Sequence, residues 1–474
     1  MTDDDIARAL REAAPIPDVP TSLLAGAHRR RAARRRGVLT AGGALAVVAA
    51  AALVLPSLPN LIGDAAVSTA GSGAAPAAPA PAPGAEADAD ADGGSAQEVG
   101  GAGAVLDLPF ESTPGVSEAA AASEALAWRL IGNLDGPNRV TSPSSLAMNL
   151  AMLGEGAVGP SAESIDEALG LAGDERSKAF GALRQSLLGY ESLPAEVDAN
   201  NPPETPIVHQ AGRVVAIDWP VEQPFLDRAR TFYDASATQV PRESAQADLD
   251  EWVRRNTAGL IEKSGIEVTP ETKAVLQDAV LFAASWRQEF TGRSTGPFLT
   301  PEGEEKVAYV SGSQNAQWAD GERWRAVRLA YDDALAADVI LPDVGVAPEQ
   351  LTAEELAEAG RALGAAEPKD DEVTMPSFDL AAKTNLLRSL PEVDLSHLDG
   401  IFPEGEVEQW VQQVRLQVNA KGTVGAAVTE AAVRTSAGGP PPFVVDRPYV
   451  FRVVDTRTGW PLFLAVIADP TAVE

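Results

Sequence analysis

Between residues 423 and 435 the chain sorts its side chains by parity. Successive side chains of an extended strand point to opposite faces. In that register Thr423, Gly425, Ala427, Thr429, Ala431, Val433 and Thr435 share one face and none is charged, while Glu430 and Arg434 fall on the other. A surface loop has no need of a charge-free face. A segment that must become a central strand does, because its inward side chains are then desolvated. The pattern reads as a loop built to enter a sheet.

Helical and strand signals mix elsewhere. Leu126, Leu130 and Leu134 recur at four-residue steps, which predicts a helix over 119–134. Residues 138–142 read as a turn and strand entry, and Pro143 suits the first turn of a following helix. Mostly apolar runs at 275–283 and 336–341 predict buried strands, each interrupted by one acid, Asp278 and Asp338. No fixed-period repeat appears. The result is a mixed α+β pattern.

The N-terminal region is of a different kind. Residues 37–62 form a 26-residue run without charge, long enough to span a bilayer, preceded by Arg29–Arg31 and Arg34–Arg36. The flanking arginines predict a cytoplasmic N-terminus and an exported remainder, single-pass in the cell membrane. The rival reading is a cleaved signal, because Arg35-Arg36-Gly37-Val38-Leu39 also fits a loose twin-arginine pattern. A signal core usually runs about 7–15 residues, and the longer run here favours a retained anchor. Residues 6–10 form a short amphipathic stretch with no legible purpose. From 64 to about 104 the chain is Ala, Pro, Gly and acid, too poor in apolar surface to fold, which predicts a disordered tether. Its roughly 40 residues would span about 35 Å as a flexible coil. The organisation expected is a basic tail at 1–36, a membrane anchor at 37–62, a linker at 63–106 and a folded domain at 107–474.

Composition narrows the chemistry. The 474-residue chain has no cysteine, which excludes disulfides, thiolate metal sites and a cysteine nucleophile. Residues 1–36 hold eight arginines against five acids, so the overall −31 less this +3 leaves about −34 on the rest. Such a surface repels nucleic acid and anionic lipid. None of the three histidines, His28, His209 and His397, has a second ligand at metal-site spacing, so no metal or cofactor is expected. No G-x-S-x-G elbow surrounds any serine, and Gly101–Gly103 and Gly438–Gly439 lack the context of a phosphate-binding loop. An enzyme is not indicated.

Several blocks, in order, carry a family resemblance. Val418-Asn419-Ala420-Lys421-Gly422-Thr423 resembles the hinge that enters the reactive-centre loop of serpins, and Phe443 to Phe451 with Asp455, Thr458-Gly459, Pro461-Leu462-Phe463 and Asp469-Pro470 resembles their C-terminal signature. Asn138, Ser142-Pro143-Ser144-Ser145-Leu146 and Gly156-Ala157 are similar to the N-terminal core motif. Trp252-Val253, Asn256-Thr257, Thr272, the 276–282 strand with Trp286 and Phe290, then Tyr331, Leu341-Pro342-Asp343, Met375-Pro376 and Phe378 match the middle blocks. The resemblance covers roughly 107–474 and is weakest around 158–245. It implies an α+β serpin fold of about nine helices around three sheets, with an exposed reactive-centre loop.

It also implies a function: irreversible suicide inhibition of an extracytoplasmic serine protease by loop cleavage and insertion, the molecule acting as a monomer. A non-inhibitory binding domain is the alternative. The implied hinge is Gly422, Thr423, Val424, Gly425, Ala426, Ala427 and Val428. Val424 stands where the family often has an acid, and Gly425 where it has alanine. Gln412 and Asp278 occupy the positions of the family's sheet-opening histidine and its asparagine partner. With Ser142 and Ser145 they could form a hydrogen-bonded cluster, to which Trp286 is added, or they could be unrelated polar residues. Counting from the hinge puts the reactive bond at Ser436–Ala437, and counting back from Pro448 moves it to Ala437–Gly438. A small residue there suits elastase-like or subtilisin-like proteases, whereas Arg434–Thr435 offers a competing trypsin-like site.

Overall fold

The computed structural model describes residues 97–472, apart from 194, 196, 199 and 425–442. Every described residue lies in one compact unit, Asp88–Glu474. The expected anchor at 37–62 and the reactive bond at 434–438 therefore lie outside the described residues. Among the described residues no helix is long and apolar enough to cross a membrane.

The elements run β1 (Gln97–Glu98), α1 (Val116–Gly132), β2 (Arg139–Thr141), α2 (Pro143–Leu153), α3 (Gly159–Leu169), α4 (Gly173–Ser186), β3 (Ile207–Ile217), α5 (Gln223–Tyr233), β4 (Ser236–Val240) and α6 (Arg242–Asn256). The chain continues with β5 (Ala274–Ser285), β6 (Gly292–Thr300), β7 (Gly303–Asp320), β8 (Trp324–Ala330), β9 (Leu335–Pro342) and α7 (Ala353–Ala365). The last are β10 (Lys369–Pro376), β11 (Phe378–Asn385), α8 (Leu386–Ser389), β12 (Val411–Val418), β13 (Gly422–Thr423), β14 (Phe443–Val444), β15 (Tyr449–Asp455) and β16 (Trp460–Ile467).

Local chemistry explains the elements that sequence predicted. α1 presents Leu126 and Leu130 as fully buried side chains, and Leu134 falls just past its end. α2 begins at Pro143, whose fixed φ and missing N–H suit a first helical turn, with the Ser142 hydroxyl accepting from the Ser145 N–H at the N-cap. These two helices pack on β16, all eight residues of which are buried. Each fully buried leucine contributes about 1.5–3 kcal/mol relative to leaving it exposed.

One sheet has the strand order β1-β4-β3-β5-β13-β12-β11, antiparallel except for β3 with β4. The other runs β14-β10-β7-β8-β9-β15-β16-β2, with β6 also paired to β7. Three sheets were expected, and hydrogen bonding joins two of them. The cause is β7: residues 309–316 pair with β10 while 317–320 pair with β8, so one 18-residue strand carries the ladder from one layer into the next. Eight α-helices occur among the described residues, against about nine expected.

The linker boundary moves as well. Residues 97–106 were assigned to the tether, yet β1 pairs with β4 in the register Gln97↔Gln239 and Glu98↔Thr238. The Val99 N–H donates to the Ala237 carbonyl and the Leu106 N–H to the Thr231 carbonyl, so this strap belongs to the folded unit.

The acid inside β9 is fully paired. Asp338 accepts from Arg328 at 2.6 and 2.9 Å and from Arg452 at 2.6 and 3.2 Å, and Arg452 also bonds Glu124. Desolvation would raise its pKa, but the two guanidiniums overcome this and hold the carboxyl below its ordinary range. A buried charge of this kind is tolerated only when paired and hydrogen-bonded.

Candidate functional site: a seated hinge above an open cleft

The hinge enters the sheet at one end. Asn419 makes the turn, its side-chain oxygen accepting from the Lys421 and Gly422 N–H groups at 2.8 and 3.2 Å. β13 then lies between β5 and β12, with Gly422 opposite Ser285, Thr423 opposite Ala284, and Thr423 opposite Val418 on the other side. Gly422 is required by space: a Cβ there would sit 2.1 Å from the Ala284 carbonyl oxygen and 2.8 Å from the Ser285 Cα. Thr423 is fully buried and its hydroxyl lies 2.6 Å from the Tyr331 phenol. Val424 is buried on the opposite face, beside Ala283, Val197 and Ile207, and its N–H donates to the Gln417 carbonyl at 2.9 Å. Residues 425–428 of the expected hinge lie outside the described residues.

Aromatic packing fixes this end of the sheet. Trp286 stacks on Tyr331 with ring centroids 4.6 Å apart and planes 12° from parallel, and Phe290 meets it edge-on. The Trp286 backbone N–H donates to the Lys421 carbonyl and its indole N–H to the Asn419 carbonyl. Burial pushes the Tyr331 hydroxyl pKa well up, so it stays a neutral hydrogen-bonding group.

Beyond β13 the two flanking strands are not joined. Among the described residues no ladder connects β5 to β12, and a cleft of about 410 Å³ lies between them. Leu276, Asp278 and Val280 line it from β5, Gln412 and Val414 from β12, Ser142 from the N-cap of α2, and Ser145 and Leu146 from α2 itself. On the neighbouring β3 Gln210 stands opposite Val280, and of these positions along β5 and β12 only Asp278 and Gln412 are polar.

These two side chains differ in their partners. The Gln412 carboxamide is held in place: its oxygen accepts from the Thr141 hydroxyl at 2.6 Å and the Ser142 N–H at 3.2 Å, and its nitrogen donates to the Ser142 carbonyl at 2.9 Å. The Ser142 hydroxyl donates to the Leu462 carbonyl at 2.8 Å. Asp278 has no comparable support. Its Oδ2 is shielded from solvent without a hydrogen-bond partner, as are both amide atoms of Gln210 on the neighbouring strand. Desolvation pushes the Asp278 pKa up to about 7, against the opposing pull of Ser145, Arg184 and Gln210.

The expected five-residue cluster is therefore divided. Ser142, Ser145 and Gln412 are joined, but Gln412 gives its amide hydrogen to a backbone carbonyl and not to Asp278. Trp286 directly follows the end of β5, eight residues beyond Asp278 and about 26 Å away at strand rise, and serves the hinge instead. Sequence reasoning missed Thr141 and Gln210, whose roles depend on which strands become neighbours. No group of three or more acidic or histidine side chains among the described residues is arranged to hold a metal ion.

Comparison with known proteins agrees with this geometry. Residues 121–470 match the family model described as Serpin (serine protease inhibitor). Serine protease inhibitor 42Dd of Drosophila melanogaster is 27% identical over 355 residues, covering 68% of this chain and 89% of that protein. An uncharacterised serpin-like protein of Thermococcus kodakarensis is 26% identical over 359 residues, covering 69% and 80%. Among solved structures, the thermophilic serpin tengpin in its native state superposes with a TM-score of 0.61 at 20% identity, covering 74% of this chain and 94% of that one. Thyroxine-binding globulin in complex with thyroxine gives 0.61 at 18% identity, covering 74% and 99%. With the family model spanning most of the folded unit, the chain belongs to the serpin family.

Proposed function

We propose that this protein is an irreversible suicide-substrate inhibitor of serine proteases. The observation that carries the reading is a hinge already seated between β5 and β12 directly above a cleft bounded by those same strands. A protease attacks the exposed loop as substrate, and the freed segment zips into the cleft while the acyl-enzyme is still attached. Insertion of about 13 residues carries the attachment point on the order of 43 Å at strand rise. The driving force is strain stored in a native state that is not the most stable one. Hydrolysis competes with this motion, so the entering residues must be small and uncharged, as Gly425, Ala426 and Ala427 are.

Ser436–Ala437 is the proposed reactive bond, which favours elastase-like or subtilisin-like targets, with Arg434–Thr435 as the competitor. The uncharged run at 37–62 supports a membrane-anchored, extracytoplasmic inhibitor acting as a monomer. The competing reading is a non-inhibitory binder, since thyroxine-binding globulin in complex with thyroxine has the same fold. Incubation with a panel of serine proteases separates the two: the inhibitor gives a covalent complex that survives denaturing electrophoresis, and the binder gives only cleaved chain. Mass analysis of the released C-terminal peptide locates the bond, and a fragment beginning at Thr435 would exclude Ser436–Ala437.

A further inference from the structure

A second cavity, of about 840 Å³, runs beside β11, the last strand of the seven-stranded sheet. Its walls come from the C-terminal end of α1, β2, the connection after α6, β11, α8 and β12. Leu134, Val140, Leu260 and Ile261 give it an apolar side, and the small side chains of Ala381 and Ala382 leave room along the strand. Asn133, the C-cap of α1, ties that helix to α8, its amide donating to the Ser389 carbonyl at 2.9 Å.

The charge lining this cavity is inverted relative to the chain. The sequence holds 68 acids against 37 lysines and arginines, yet four cations, Arg139, Lys383, Arg388 and Arg415, line it against two acids, Asp135 and Glu262. Two of the cations are committed elsewhere, Arg139 to Glu349 at 2.9 Å and Arg415 to Asp379 at 3.0 Å. Among the described residues Lys383 and Arg388 have no ion-pair partner, and neither lining acid pairs with them. Lys383 stands opposite Gln413, so Arg415, two residues further on, is its diagonal neighbour on the same face, about 7–8 Å away. Arg388 follows in α8, the short helix that continues β11. Like charges gathered this way repel one another until a counter-charge arrives.

We propose that this cavity binds a soluble amphiphilic organic anion, its head between Lys383 and Arg388 and its apolar body against Leu134, Val140, Leu260 and Ile261. Guanidinium and ammonium groups both donate to oxyanions, and a cavity of this size suits a small organic molecule. The acidic surface turns anionic membranes and polymers away, whereas a single small anion feels chiefly the local field of the cavity. No part of this depends on loop insertion.

The test titrates 8-anilinonaphthalene-1-sulfonate into the full chain, read by fluorescence, beside N-phenyl-1-naphthylamine, the same ring skeleton without the sulfonate. Wild type should bind the sulfonate saturably at one site. The double variant Lys383→Gln, Arg388→Gln should bind it roughly tenfold more weakly, while Lys383→Arg, Arg388→Lys should keep most of the affinity. The neutral probe should bind all three proteins alike. Equal sulfonate binding by wild type and the glutamine variant would overturn the proposal, as would a loss that the neutral probe shares. Octyl sulfate should displace the probe from wild type. Displacement by phosphatidylglycerol vesicles alone would assign the two cations to a lipid surface and overturn the soluble ligand.

Discussion

The Thr423 hydroxyl and the Tyr331 phenol are 2.6 Å apart, and both side chains are buried. This bond ties the last fully described inward hinge residue to a ring stacked on Trp286. Removing the phenol by Tyr331→Phe leaves the Thr423 oxygen without that partner. The intact protein should lose about 1–3 kcal/mol, read as a lower urea midpoint at unchanged slope.

The buried seat of Thr423 sets a sharper test of the alternation. Thr423→Arg places a charge where no water reaches, and seating it without a counter-charge is strongly unfavourable. On the proposed inhibitory reading, the variant should be cleaved by a target protease as an ordinary substrate, with the number of inhibitor molecules consumed per protease rising at least several-fold. Glu430→Arg, on the opposite parity, should change that number little. Equal effects from the two substitutions would defeat the assignment of faces.

Asp278 makes stability depend on pH. Its carboxyl is raised to about 7 in the folded protein, chiefly by desolvation, while in the unfolded chain it titrates near 3.9. Between those values the folded state holds a proton that the unfolded state has released, so this group's contribution is lost as pH rises from about 4 through 7. The groups acting on it are Ser145 from α2, Gln210 from β3 and Arg184 from α4. Asp278→Asn should flatten this part of the profile and be more stable than wild type at pH 8. Denaturation midpoints at pH 5, 6, 7 and 8 give the comparison, and parallel profiles would count against it.

Gly422→Ala tests the close approach at the hinge. The added methyl would collide with the Ala284 carbonyl, a backbone atom that cannot swing aside. Amide hydrogen exchange at Thr423 and Val424 should quicken by at least tenfold, while amides in β16 keep their wild-type rates.

Much of this arrangement was legible from side-chain order alone. The apolar runs of β5 and β9 and the four-residue spacing of α1 declare themselves because burial acts on every residue of an element. The meaning of the two interrupting acids did not. Asp338 and Asp278 look alike in sequence, yet one meets two arginines from neighbouring strands and the other meets a cleft. The hold of Thr141 and Ser142 on Gln412 was equally hidden, since it depends on β12 passing close to β2, about 270 residues earlier in the chain. β7 gave no warning of joining two layers, because its polar sequence carries no long apolar run. β1 was hidden inside low-complexity sequence, where two residues of backbone pairing leave no compositional trace.

That small strand has a consequence for crowding. The seven-stranded sheet would otherwise end at β4, five residues of exposed ladder available to any chain drifting alongside. An unpaired edge is a template for sheet-to-sheet aggregation. With β1 in place the outermost strand is two exposed polar residues, Gln97 and Glu98, followed shortly by Gly100 and Gly101. Neighbouring copies gathered at high density find on this side a border too short to copy, and the sheet's longer edge among the described residues is the eight-residue β11 at its far end.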